Sequence, residues 1–256
     1  MFVHNINPII FSIGPLSVRW YSLAYVLGFL AAYWWLHYLT KRKTIKNLTP
    51  KRVESYMLYL ILAVIISGRL FEFVFFRPEV WLTDPLEVLR IWHGGMSFHG
   101  GLVGVAAVTW WFCKKHDISL LELGDALSLP AAISLFLGRI ANFINAELVG
   151  KLTSVRWCVE FPGYEGCRHP SQLYEAGKNL VIFGTLAFAW KWRGRRPGTI
   201  MWLFIALYGL LRMAVNVWRD DPVFLIGLSM GQFLSMLMFF VGTGGLLFLY
   251  RNTKKY

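Results

Sequence analysis

Seven long apolar stretches dominate the sequence and restrict the folds open to it. Each approaches the roughly 20 apolar residues that cross a bilayer core. Of the 256 residues, 56% are hydrophobic, which is more apolar surface than a soluble domain can cover. We therefore expect an all-α integral membrane protein with about seven transmembrane helices, near residues 17–38, 54–76, 96–113, 126–144, 172–190, 199–218 and 230–250.

The stretches follow one another without an internal repeat, a Ser/Gly-rich linker or a low-complexity tract. We therefore predict a single membrane-embedded domain over residues 1–256, with a small external segment around 145–171. Short surface helices are expected in the external loops, and Asp84 with Pro85 suits the start of one of them.

The positive charge is distributed as in a membrane protein. A net charge of +12 raises the possibility of nucleic-acid binding, but one set of alternate loops holds fifteen Lys and Arg, Lys254 and Lys255 among them, and the other set holds six. The excess of Lys and Arg in cytoplasmic loops then puts residue 1 outside and residue 256 in the cytoplasm. We predict no nucleic-acid partner.

With this topology, the polar groups of the spans fall at one level near the outer leaflet. Arginines that face one interior there need an anion, and the guanidinium fork matches phosphate. The alternative is a set of structural ion pairs, with Glu72, Glu147 or Glu175 as partners. The groups at this level include Arg69, Arg139, Arg212, Tyr21, His99, Gln172, Tyr174, Glu175 and Gln232.

Two stretches at this level have a structural as well as a chemical interpretation. In WHGGMSFHGGLVG (92–104), Gly100 and Gly104 have the spacing of a close helix contact, whereas the imidazole of His99 is a side chain suited to proton transfer. In RHPSQLYEA (168–176), Ser171 suits a helix cap, and Glu175 then lies in the first turn.

The three cysteines fit the same topology. Cys113 lies at the cytoplasmic end of a span, where a thiol stays reduced. Cys158 and Cys167 share one external loop, and we predict that they can form a disulfide. No spacing suggests a zinc or haem site, so we expect no metal and no cofactor.

Several motifs in order resemble one family. GRIANFINAELVG (138–150) resembles the signature of the bacterial prolipoprotein diacylglyceryl transferases, and FSIGPLSVRWYSLAYVLGF, GGMSFHGGLVG, HPSQLYEA, YGLLR and SMGQ stand in the expected order. The resemblance implies a multi-pass enzyme of the bacterial plasma (inner) membrane that works at the outer-leaflet side. It implies transfer of the diacylglyceryl group from phosphatidylglycerol to the lipobox cysteine of a preprolipoprotein signal peptide, which forms a thioether and releases glycerol phosphate.

The resemblance also implies roles for particular residues, carried over by matching position. Candidate catalytic residues are His99, Arg139, Arg212 and Tyr21, and candidate phosphatidylglycerol-binding residues are Arg139, Asn142, Asn145, Glu147 and Gly150. His99 is a candidate base for the thiol, and a field of arginines is the alternative means of activation.

The chain departs from the family pattern at two positions, which are His93 and Asn216. Relatives often place a glutamate where this chain has Asn216, so Arg212 must be held by another group. A transporter or flippase for anionic lipids, or a receptor with structural ion pairs, is the alternative function. A transporter predicts charges spread through the membrane depth and repeated halves, and neither is present in the sequence.

The charge bias generates a test of topology. A reporter fused after residue 256 should read cytoplasmic, and one inserted within 151–168 should read external, because Lys and Arg fall fifteen to six in favour of the loops on the side of residue 256. Alkaline phosphatase and green fluorescent protein fusions measure this directly. Both reporters on one side would rule out an odd number of spans between them.

Overall fold

The computed structural model describes residues 2–14 and 16–251, and these are mostly helical. Residues 1, 254, 255 and 256, used in the topology prediction, lie outside the described residues. The helices are α1 (Trp20–Lys41), α2 (Pro50–Phe71), α3 (Pro78–Thr83), α4 (Phe98–His116), α5 (Leu120–Ile144), α6 (Ser171–Trp190), α7 (Thr199–Val215) and α8 (Met230–Arg251). A long helix therefore lies at each of the seven predicted positions.

Four helical segments of the described chain are long and apolar enough to cross a membrane. These are Pro50–Phe76, where a π-helical turn continues α2, together with Leu120–Ile144, Thr199–Trp218 and Met230–Arg251. The protein is thus a helical membrane protein. Short helical turns also follow α3, at Pro85–Leu89 and Ile91–His93, where the sequence predicted a short helix after Asp84.

Short strands are the part of the fold that the sequence did not predict. They are β1 (Phe2–Val3), β2 (Ile9–Ile13), β3 (Leu16–Arg19), β4 (Val159–Glu160), β5 (Cys167–Arg168), β6 (Val223–Leu225) and β7 (Leu228–Ser229). β2 and β3 form an antiparallel hairpin. Because this hairpin takes residues 16–19, the first helix begins at Trp20 and not near residue 17, as predicted.

The chain divides into two compact units, one made of residues 1–32 and 124–256 and the other of residues 33–123. In the first unit, α7 packs on both α6 and α8. A Cβ on Gly242 of α8 would overlap the backbone nitrogen of Ala206 in α7, so these two helices approach closely.

In the unit of residues 33–123, α4 packs against α2. The Ser97 hydroxyl caps α4 by accepting a hydrogen bond from the backbone N–H of Gly100 at 3.3 Å. A Cβ on Gly104 would overlap the Ser67 hydroxyl and lie 2.8 Å from the Ala63 carbonyl oxygen. The predicted small-residue contact of Gly100 and Gly104 is therefore confirmed, and it is made with α2.

Arg69, near the end of α2, is held by backbone carbonyls and not by the acid three residues later. Its side chain donates to the carbonyls of Val88 at 3.0 Å, Gly95 at 2.9 Å and Arg90 at 3.1 Å, and also to those of Glu87 and Gly94. The residue is 1% exposed. Since its donors are occupied, Arg69 ties segment 84–95 to α2 and needs no further anion.

The segment around 145–171 contributes two strands to a small three-stranded sheet. β1 pairs with β4 in parallel, and β4 pairs with β5 in antiparallel register, so that Glu160 faces Cys167. Cys158 and Cys167 are joined by a disulfide, as predicted. The His4 imidazole also makes a 2.8 Å hydrogen bond with the Phe143 carbonyl, which ties β1 to the end of α5.

The α2–α4 contact gives a matched pair of substitutions. Gly104→Ala should lower stability by about 1–3 kcal/mol, because its methyl group cannot fit against Ser67 without displacing α2. Gly101→Ala in the same helix meets only Val64, at 3.8 Å, and should leave stability unchanged or slightly higher. Thermal unfolding of the purified variants in detergent measures the difference. Equal melting temperatures for the two would contradict close packing at Gly104.

Candidate active site

A buried carboxylate on α6, that of Glu175, lies at the centre of a cluster of cations. Glu175 is 0% exposed. Arg212 of α7 donates to Oε1, and Lys178 donates to Oε2 at 2.8 Å. Arg139 of α5 places its Nε 3.6 Å from the same Oε2. Three helices thus bring three cations to one carboxylate.

Arg139 and Arg212 keep donors that Glu175 does not use. Their side chains are 16% and 12% exposed, so neither is sealed in the core. Arg139 Nη1 makes a long 3.4 Å hydrogen bond to Asn142 Oδ1. A guanidinium carries five N–H groups, and these contacts use only part of them. The arrangement can therefore receive an additional anion with oxygen acceptors.

Residues 145–150 end the signature and are called the signature segment here; they fold back after α5. Ala146 and Leu148 both adopt φ of 55°, which reverses the chain after the helix ends. The Glu147 carboxylate consequently accepts hydrogen bonds from Asn142 at 3.2 Å and Asn145 at 2.9 Å. Arg139, Asn142 and Glu147 form one continuous polar chain, and Asn145 adds to it from the side.

The same segment is fastened to the start of α6. Gln172 donates to the Glu147 carbonyl at 2.6 Å, and the Ser171 hydroxyl donates to the Leu148 carbonyl at 2.9 Å. The predicted capping role of Ser171 is therefore wrong. The cap position is Pro170, and Ser171 is the first helical residue, whose hydroxyl is used by a neighbouring segment.

Gly150 lies where the chain leaves no room for a side chain. A Cβ there would come within 2.6 Å of the carbonyl oxygens of His169 and Trp218. Its N–H donates to His169 at 3.0 Å, and its carbonyl accepts from Arg168 at 3.1 Å. Gly150 therefore joins the end of the signature segment to the segments before α6 and after α7.

Arg219, which follows α7, adds a buried charge beside the cluster. It makes two 2.9 Å hydrogen bonds to Asp221 and interacts electrostatically with Arg139 and Arg212. Burial alone would raise the pKa of the Asp221 carboxyl, but the hydrogen bonds and charge of Arg219 outweigh this and hold the pKa below its usual value. Asp221 is therefore ionised at neutral pH, and its charge is matched by Arg219.

The two departures from the family pattern have partners of their own. Asn216 donates to the Ser229 hydroxyl at 2.7 Å, and Glu175 holds Arg212, which is the other group that the sequence required. The His93 imidazole binds the Glu87 carboxylate at 2.9 Å. The pKa of Glu87 is lowered by this hydrogen bond and by a second one from Arg90.

The structure brings most of the predicted site residues into one unit. Tyr21 lies within electrostatic range of Arg139, and its ring lies 5.5 Å from that of Tyr25. His99 belongs to the unit of residues 33–123, where it is the second residue of α4 and is exposed. The predicted residues found in the unit of residues 1–32 and 124–256 are Tyr21, Arg139, Asn142, Asn145, Glu147, Gly150 and Arg212.

Two members of the cluster were not predicted as site residues. Glu175 was expected only as a possible ion-pair partner, and no role was predicted for Lys178. Lys178 also lies 4.0 Å from the ring centre of Tyr208. The signal that could have found the pair is the three-residue spacing of a glutamate and a lysine inside an apolar stretch.

Comparisons with known proteins agree with these features. The sequence model of the family described as prolipoprotein diacylglyceryl transferase matches residues 8–248. A protein of Rhodospirillum rubrum named phosphatidylglycerol–prolipoprotein diacylglyceryl transferase is 42% identical, over 93% of this chain and 90% of its own length. Proteins of the same name from Pseudoalteromonas atlantica (41% identical, 98% and 91% covered) and Rickettsia bellii (42% identical, 93% and 93% covered) are similar.

Proposed function

Because the chain belongs to the prolipoprotein diacylglyceryl transferase family, we propose that it transfers the diacylglyceryl group of phosphatidylglycerol to a prolipoprotein, in the first step of lipoprotein maturation. The acceptor is the thiol of the lipobox cysteine in the signal peptide. A sulfur–carbon bond forms at the glycerol carbon that carries the phosphate. The carbon–oxygen bond breaks, glycerol phosphate leaves with the electron pair, and the thiol proton is released.

The observation that carries this proposal is the excess of positive charge around Glu175. Three cations face one carboxylate, and Arg219 nearby is already matched by Asp221. The phosphodiester of phosphatidylglycerol supplies a negative charge, and the departing glycerol phosphate supplies more. Interactions that strengthen as this charge develops lower the barrier to transfer.

Arg139 and Arg212 are the residues proposed to hold the phosphate. Asn142, Asn145 and Glu147 orient Arg139 through their hydrogen-bond chain and offer polar contacts to the glycerol hydroxyls. Two further residues complete the proposed site: Gly150, which fixes the signature segment by close packing, and Tyr21, which lies beside Arg139.

His99 is the proposed base for the cysteine thiol. A free thiol has a pKa of about 8.5 and is mostly protonated near neutrality, so a proton acceptor or a positive field has to activate it. The imidazole of His99 is exposed, and its nearest described ring neighbour is Phe98 at 5.9 Å. An accessible imidazole without a fixed partner in the described chain suits transient contact with a peptide thiol.

The proposed topology has seven spans, with residue 1 outside and the reacting groups at the outer-leaflet side of the inner membrane. The support is the distribution of Lys and Arg among the loops and the long helices at all seven predicted positions. An outer-leaflet site matches a substrate pair of membrane phospholipid and exported signal peptide.

The transfer reaction tests this function with one set of arginine variants. The wild-type protein should convert a lipobox peptide to its thioether-linked diacylglyceryl form in phosphatidylglycerol micelles. Arg139→Ala should lose most turnover while phosphatidylglycerol binding falls less, because the grip on phosphate is strongest as glycerol phosphate leaves. Arg139→Lys should rescue poorly, since an ammonium does not reproduce the guanidinium fork. Mass spectrometry of the peptide measures the product.

Arg156→Ala is the matched control, because Arg156 is exposed in the external segment and should leave turnover unchanged. Movement of phosphatidylglycerol between leaflets without peptide modification would favour the flippase instead. Full turnover in Arg139→Ala would remove Arg139 from the proposed site.

The role of His99 has its own test. His99→Gln should keep the fold and the lipid affinity yet slow turnover by roughly 10²–10⁴-fold, the range for loss of a general base. Raising the pH should restore part of the rate, because more peptide thiol then ionises without help. Turnover across pH is compared with that of His116→Gln, at the other end of α4. Near wild-type turnover of His99→Gln at neutral pH would leave thiol activation to the arginines.

A further inference from the structure

Lys178 is a buried cation to which the proposed reaction assigns no contact with the substrate. Its side chain is 2% exposed, its Nζ donates to Glu175 Oε2 at 2.8 Å, and it lies over the Tyr208 ring at 4.0 Å. An ammonium in an apolar helix is costly even when it is paired, so its presence needs a reason.

Neutralising Glu175 is not a sufficient reason. Arg212 already binds Oε1, and Arg139 lies within ion-pair range of Oε2. Two cations therefore surround the carboxylate without Lys178. Burying a third cation adds its own desolvation cost, although the carboxylate is already paired.

The distances at Oε2 indicate what Lys178 changes. Lys178 is at hydrogen-bonding distance, 2.8 Å, whereas the Nε of Arg139 is 3.6 Å away, beyond the usual range for an N–H donor. The two cations compete for one oxygen, and Lys178 has the closer position. Arg139 is left with an ion pair to Glu175 that lacks a direct hydrogen bond.

We propose that Lys178 is a positioning residue that occupies Glu175 and so keeps the guanidinium of Arg139 available for the lipid phosphate. The inference rests on the proposed function, since it assigns the anion that Arg139 receives. Without the ammonium, Arg139 would close onto Oε2, and the excess charge of the cluster would fall from two to one. Lys178 itself does not touch the substrate, because its Nζ is enclosed by Glu175 and Tyr208.

The test separates binding from chemistry in the full-length protein. Lys178→Met removes the charge at similar length and should raise both the Kd and the KM for phosphatidylglycerol by roughly tenfold, the scale of one charge-assisted hydrogen bond. The kcat should change much less. The matched control is Lys191→Met, at the exposed end of the same helix, which should change neither constant.

A second substitution distinguishes positioning from a structural role. Glu175→Gln combined with Lys178→Met restores an excess of two charges and retains an amide oxygen for Arg212, so affinity for phosphatidylglycerol should recover part of the loss. A merely structural pair predicts a further loss in the double variant. If Lys178→Met does not fold, as judged by its melting curve, Lys178→Gln replaces it with the opposite expectation. Its amide can still occupy Oε2, so positioning predicts a Kd and KM near those of the wild type, and a tenfold loss would overturn the assignment.

An unchanged Kd and KM in Lys178→Met, or a fall in kcat alone, would overturn the assignment. The Kd is measured with phosphatidylglycerol in nanodiscs and needs no turnover. Failure of the wild-type protein to modify the peptide would therefore refute the proposed function, and the binding data would still decide whether Lys178 frees Arg139 for a phosphodiester.

Discussion

One buried carboxylate organises the polar interior of this protein. Glu175 is fully enclosed and draws together Arg139 from α5, Arg212 from α7 and Lys178 from its own helix. Without it, three like charges would face each other in a medium that screens charge poorly. With it, the three cations are held close together and their positive charge still exceeds the negative charge of Glu175. Such an excess allows an exchangeable anion to bind.

Charge and position are supplied by different parts of the chain. The cations come from the middle and ends of long helices, whereas the signature segment is shaped by amide and backbone hydrogen bonds. Gln172 and Ser171 donate to its carbonyls, and Gly150 packs against the carbonyls of two residues outside it, His169 and Trp218. Because these contacts are made within the protein and do not involve an anion, little reorganisation is required when charge develops.

Long elements and local motifs were predictable from the sequence, whereas tertiary partners were not. Apolar length alone located seven helices, because a bilayer demands about 20 residues per span. Strands of two to five residues carry too little periodicity to be recognised. Because position 216 is an asparagine and not a glutamate, we correctly expected another partner for Arg212. Only the fold identifies that partner as Glu175. The carbonyl partners of Arg69 leave no trace in side-chain identity, which is why an acid was expected there.

The way Arg69 is bound has a consequence for how the protein moves. Segment 84–95 contains only short helical turns, and five of its carbonyls converge on one guanidinium from α2. Lifting the segment away would strand that charge and several donors at once. The segment is therefore a fixed part of its unit and not a mobile lid.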